Sequence, residues 1–231
     1  MQLWQTLLYQ PLFNLLIFIY NLVGGDIGVA IIVLTIILKI VLAPLSHKSL
    51  QSQRALQQIQ PKVEELKLKY KDQKERLSQE LMILYKTEKV NPFSSCLPIL
   101  IQLPFLIALY QVFSHGLASQ SLDILYQFIH NPGHLNTTFL GFWDLVKPNW
   151  LLAVVTGAAQ YWQSKSLIKK PTTTTDNITS TMNKQMLYVM PAVTVFFGFS
   201  LPGGLMLYWL INTLLTVAQQ YWSIHRHESK L

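Results

Sequence analysis

Ile27–Leu45 reads IGVAIIVLTIILKIVLAPL, and Lys39 is its only charged residue. As a helix at 1.5 Å per residue the segment extends about 28 Å, close to the hydrocarbon thickness of one bilayer. Pro44 is expected to close it. The whole chain agrees with that reading. Of its 231 residues, 51% are apolar and 13% charged, whereas soluble domains carry about 25% charged residues. Mean hydropathy is positive. Lipid is therefore the expected solvent. The single cysteine, Cys96, excludes a disulfide framework and a cysteine-clustered metal site. A positively charged leader with a small-residue cleavage site is not evident at the N-terminus, so no cleavable secretory signal is expected.

Working outward, composition divides the chain into four parts. Residues 25–45 form the first transmembrane helix. Residues 46–93 are rich in Lys, Glu and Gln. There Ile59, Val63, Leu66 and Tyr70, then Leu77, Leu81 and Leu84, recur at spacings of three and four, which predicts a hairpin of amphipathic helices in water. Pro61 suits a first turn, and Lys71-Asp72-Gln73 suits the break. Residues 94–231 supply four further spans, Ser95–Phe113, Trp150–Leu167, Leu187–Leu201 and Leu205–Ile224, with loops and a short tail. The last two are joined only by Pro202-Gly203-Gly204, and Leu187–Leu201 reaches about 22 Å, short for a bilayer. Residues 1–24 are apolar enough to span, yet Gln2, Gln5, Tyr9, Gln10, Asn14, Tyr20 and Asn21 share half of a helical wheel. That polar face favours an amphipathic helix lying in the interface. The expected fold is all-α: a polytopic membrane protein with five core transmembrane helices, an N-terminal interfacial helix and a cytoplasmic helical hairpin.

Charge orients it. Sixteen of the eighteen Lys and Arg residues lie in the hairpin, in the loop around Lys165–Lys184 and in the tail. Five spans place those three segments on one side, which the positive-inside bias identifies as cytoplasm. The N-terminus is then outside and the C-terminus inside. The net charge of +7 thus follows from topology, and the hairpin's lysines are interleaved with Glu64, Glu65, Asp72, Glu75, Glu80 and Glu88. Binding of DNA is not indicated.

Lys39 lies about 8 Å from the inner end of its helix. A cation near a helix centre costs roughly 2.5 to 3.5 kcal/mol on insertion scales and usually faces a partner or a wet cavity. Snorkelling to the interface is the competing account. Thr35 is one turn away on the same face, and Gln102, Gln160, Gln163, Asn212 and Thr213 sit in other spans. Each amide alone is explained by interhelical hydrogen bonding. Together with a cation and no acidic residue in any span, they favour a hydrated cavity open to a ligand that brings negative charge. Catalysis is not expected. The sequence has no phosphate loop, nucleophile elbow or zinc helix, and Pro132-Gly133 breaks the helix that a His130–His134 metal pair would need. No cofactor is implied.

Glu80–Tyr110, ELMILYKTEKVNPFSSCLPILIQLPFLIALY, closely resembles the signature of the YidC/Oxa/Alb membrane protein insertases. QPLFNLL at Gln10–Leu16, LAPLS at Leu42–Ser46, IQPK at Ile59–Lys62 and LPGGLMLYW at Leu201–Trp209 extend the resemblance along the chain. The resemblance implies five core spans around a hydrophilic groove, open to cytoplasm and lipid and closed outside. It places Lys39 at a groove position usually held by arginine; lysine keeps the charge without the planar fork. Thr35, Gln160 and Trp209 align with groove-lining positions. The implied function is ATP-independent insertion and folding of nascent membrane proteins in the bacterial plasma membrane, with lipids, the ribosome and the Sec translocon as candidate partners. A small channel or proton-coupled transporter using Lys39 and the amides is the alternative; such proteins commonly show internal repeats, and none is evident here.

Overall fold

A computed structural model describes residues 2–91, 97–117, 122–167 and 185–228. Cys96 and the run Thr172–Thr175 fall outside the described residues. The chain is predominantly helical and divides into two compact units, residues 41–103 and the remainder.

The larger unit begins with a short turn, α1 (Gln2–Trp4), a π-helical turn (Gln5–Tyr9) and α2 (Gln10–Leu22). The Gly25 amide donates to the Tyr20 carbonyl at 3.0 Å, closing α2 by a Schellman-type bond. α3 (Ile27–Val41) follows directly, its first turn capped by Asp26, whose Oδ1 accepts from the Val29 amide at 3.0 Å. Phe13, Leu16 and Ile17 of α2 are fully buried with Ile27, Ile31 and Leu34 of α3 in one hydrophobic core.

Part of the polar face of the N-terminal segment is taken up by the chain itself, while Gln5 is exposed. That part meets the loop after residue 122. Asn14 is 1% exposed; its Nδ2 donates to the Ile124 carbonyl at 3.0 Å and its Oδ1 accepts from the Tyr126 amide at 2.7 Å. Gln10 donates to the same Ile124 carbonyl, Asn21 to the His130 carbonyl, and the Tyr20 hydroxyl accepts from the Asn136 amide. Main-chain groups that would otherwise be buried unpaired are satisfied in this way.

The smaller unit holds α4 (Ala43–Gln58), α5 (Gln60–Lys69) and α6 (Lys74–Thr87). Here the expected first span differs from the structure. α3 ends at Val41, and Pro44 opens α4 instead of closing α3. A proline in the first helical turn loses no hydrogen bond, because that amide has no intrahelical acceptor. Lys62 near the start of α5 pairs with Glu88, just past α6, at 2.6 Å, so these two helices run antiparallel. α6 ends in a left-handed residue, Lys89 (φ 53°), with the Val90 amide donating to the Tyr85 carbonyl at 2.9 Å.

α7 (Leu97–Gln111) contains Pro104 and continues into a π-helical turn, Val112–Leu117. The loop then forms a short antiparallel ribbon, β1 (Thr138–Phe139) with β2 (Trp143–Asp144), in which Phe139 opposes Trp143. An all-helical expectation did not include it. α8 (Trp150–Leu167) packs against two further helices, α9 (Met190–Gly198) and α10 (Gly203–Glu228). Gly157 permits the close approach of α8 and α9, since a Cβ there would lie 2.3 Å from Val195 Cγ2. The first amides of α10 are taken up by the loop: Gly203 donates to the Lys147 carbonyl at 2.9 Å and Gly204 to the Leu145 carbonyl at 2.8 Å. Among the described residues no single helix is long and apolar enough to cross a membrane; α3 and α4 together pass on length and composition as a bent pair.

Candidate functional site

Lys39 occupies the last turn of α3, where the helix dipole favours a cation. Its side chain is partly buried and crosses to α10. Nζ donates to Thr216 Oγ1 at 2.6 Å and approaches Asn212 Oδ1 at 3.5 Å, the outer limit of a hydrogen bond. The Thr216 hydroxyl spends its own proton on the Asn212 carbonyl at 2.7 Å, one turn back along α10. A hydroxyl has one proton and two lone pairs, so that bond turns a lone pair toward Lys39. Both partners of the ammonium are neutral. Either can be displaced by a carboxylate, which would add charge to the bond and strengthen it.

The other expected site residues are placed variously. Thr35 is 1% exposed and its hydroxyl donates to the Ile31 carbonyl at 2.6 Å, so it is closed off within its own helix. Gln160 in α8 meets Thr194 in α9, with Oε1 accepting from the Thr194 hydroxyl at 2.5 Å. Trp209 is partly buried against the hydrophobic core. Gln102 belongs to the smaller unit. Of the six, then, Lys39 and Asn212 meet directly. Thr216 and Thr194 were not anticipated. Thr216 was within reach of the sequence: it lies one helical turn beyond Asn212 on the same face, a position that outranks the neighbouring Thr213, which is 3% exposed. Among the described residues no group of three His, Cys, Asp or Glu side chains could hold a metal ion.

The family model described as "60Kd inner membrane protein" matches residues 18–230. The chain belongs to that family. Three relatives carry the description "Membrane protein insertase YidC". The protein from Nitratidesulfovibrio vulgaris (strain DSM 19637 / Miyazaki F) is 34% identical over 223 residues, 96% of this chain and 39% of the relative. That from Geobacter sulfurreducens is 34% identical over 230 residues, 98% and 39%. That from Syntrophus aciditrophicus is 38% identical over 219 residues, 95% and 36%. A solved structure described as "Active YidC insertase crystal structure with the first transmembrane domain resolved" superposes with a TM-score of 0.65 at 30% identity, covering 93% of this chain and 46% of that one. The chain therefore spans about two fifths of the length of those curated relatives, and shares a YidC-like helical fold.

Proposed function

We propose that this chain inserts nascent membrane proteins and helps them fold, using Lys39 as the polar anchor of a groove open to cytoplasm and lipid. The observation that carries the reading is the partly buried ammonium of Lys39 on two neutral partners, in a member of an inner membrane protein family. A substrate's acidic or peptide group can replace Thr216 and Asn212, so the cost of taking that group part-way across falls. Burial of the substrate's apolar helix supplies the driving force. Apolar residues gain roughly 0.3 to 0.6 kcal/mol each at a helix centre, so some twenty can offset a few polar groups without ATP.

In this proposal five spans cross the membrane, built around α3, α7 with its π-helical turn, α8, α9 and α10. The hairpin of α5 and α6 lies in the cytoplasm and receives the chain, the C-terminus is cytoplasmic, and the segment through α2 lies at the outer interface. Several of the helices are short. α3 alone reaches about 22 Å, and a bilayer thinned to match it leaves less hydrocarbon to cross. Gln160, Thr35 and Trp209 line or support the groove, and lipids, the ribosome and the Sec translocon are the expected company.

The test is insertion of an acidic-tailed substrate into proteoliposomes containing Lys39→Ala, Lys39→Arg or Lys39→Glu. Arginine should retain insertion, alanine should reduce it, and glutamate should abolish it. Full activity with glutamate would refute attraction as the mechanism, and ion flux without any substrate protein would favour a channel.

A further inference from the structure

The ribbon β1–β2 ends in a turn of unusual composition. Phe142 donates its amide to the Phe139 carbonyl at 3.3 Å across Leu140 and Gly141, and both central residues have positive φ, 53° and 82°. That is the pattern of a type I′ turn, which favours Asn-Gly, because asparagine tolerates the left-handed region and leucine does not. Leu140 is nevertheless there, 58% exposed, and Phe142 beside it is 65% exposed. In water both features are costs: backbone strain and bare apolar surface.

The turn is held firmly. Asp26, which caps α3 through Oδ1, accepts the Leu140 amide through Oδ2 at 2.9 Å. Phe139 lies over Gly28, where a Cβ would sit 2.1 Å from the ring. Trp143 contacts Phe142 edge-on at 5.0 Å and Phe139 at 6.1 Å. Lys147, 78% exposed at its side chain and paired with Asp144, follows within a few residues. Exposed aliphatic and aromatic groups with tryptophan and lysine close by are what the membrane interface accommodates.

We propose that the Leu140–Gly141–Phe142 turn is a lipid wedge, inserted into the interfacial layer of the bilayer at the N-terminal end of α3. Because Asp26 joins the wedge to α3, the wedge sets the depth of that helix. Lys39 is thirteen residues from Asp26, about 20 Å along the axis, which holds the ammonium in the opposite half of a hydrocarbon core about 30 Å thick. The inference rests on the membrane placement proposed above, and the experiment separates the two.

Single cysteines at Phe142→Cys, Phe196→Cys and Gly133→Cys, each with Cys96→Ser, are labelled with an environment-sensitive fluorophore in lipid vesicles. Phe196 is a 71% exposed residue of α9 and reports membrane placement. Gly133 is an exposed turn residue and serves as the water control. The label at 142 should lose most of its fluorescence to a lipid with a nitroxide near the top of its acyl chain and little to aqueous iodide. Adding Leu140→Asn, which suits the left-handed conformation, should make the 142 label iodide-sensitive while the turn stays folded. Quenching at 196 by lipid, with 142 quenched only by iodide, overturns the wedge and leaves the membrane placement standing. Protection of 142 from both quenchers points to a protein partner and also overturns it. Iodide quenching at 196 overturns the placement itself.

Discussion

Lys39 Nζ and Thr216 Oγ1 lie 2.6 Å apart across two helices, although 177 positions separate them in the chain. The hydroxyl is the ammonium's shortest contact, and its proton is already committed to Asn212. Thr216→Val keeps shape and removes the acceptor, leaving a partly buried donor without its best partner at a cost of about 1–3 kcal/mol. Thermal stability in detergent should fall accordingly, and Thr216→Ser should restore it. Because a substrate carboxylate displaces that hydroxyl, insertion of acidic-tailed substrates, read by protease protection in proteoliposomes, should not fall in Thr216→Val.

Asn14 satisfies three main-chain groups: the Gln10 and Ile124 carbonyls and the Tyr126 amide. Asn14→Leu should destabilise the chain by about 1–3 kcal/mol for each buried group left unpaired. Hydrogen exchange at the Tyr126 amide should accelerate markedly, whereas exchange at the Gly204 amide should change little.

Gly28 lies beneath the Phe139 ring, where an added methyl group has no room. Gly28→Ala should lower thermal stability in detergent by about 1–3 kcal/mol through overpacking. Phe139→Ala in the same chain should recover part of the loss, since it empties the space that the methyl group needs.

Asp144 gives a pH dependence. Burial alone would raise its pKa, but hydrogen bonds from Lys147, the Val146 amide and Thr137, with the Lys147 charge, outweigh it and hold the carboxyl below its ordinary value. A carboxyl depressed in the folded state contributes stability in full above the unfolded pKa, about 3.9, and loses it as pH falls through the folded pKa. The stability difference between the wild-type chain and Asp144→Asn should therefore be constant from neutrality to about pH 5 and shrink below about pH 4. A difference that grew on acidification would contradict the assignment.

Much of this was readable from residue order. The apolar run of α3 and its single cation mark the site, because an unpaired charge in such a run is conspicuous. Tertiary context decided what was missed. The polar face of the segment around Asn14 is visible as periodicity, but periodicity does not say whether water or a distant loop's backbone meets it. Pro44 carries two opposite meanings, a helix stop or a first-turn residue, and the chain chose the second. Thr216 is one helical turn beyond Asn212, so its place beside the site follows from the helical repeat and not from adjacency in the chain. The β1–β2 turn lacks the usual Asn-Gly signal, so nothing local announced a ribbon.

The bonds from Asn14 to Ile124 and Tyr126 span 110 and 112 positions, and that separation is also an interval of time. At about 5–20 residues per second of synthesis, the partner loop emerges some 6–22 s after Asn14 does. Throughout that interval the carboxamides of the N-terminal helix lack the loop that receives them, and Asn14 has only the Gln10 carbonyl of its own helix. A protein proposed to shelter half-made membrane proteins thus passes through the same predicament, and during its own birth something else must stand in for residues not yet translated.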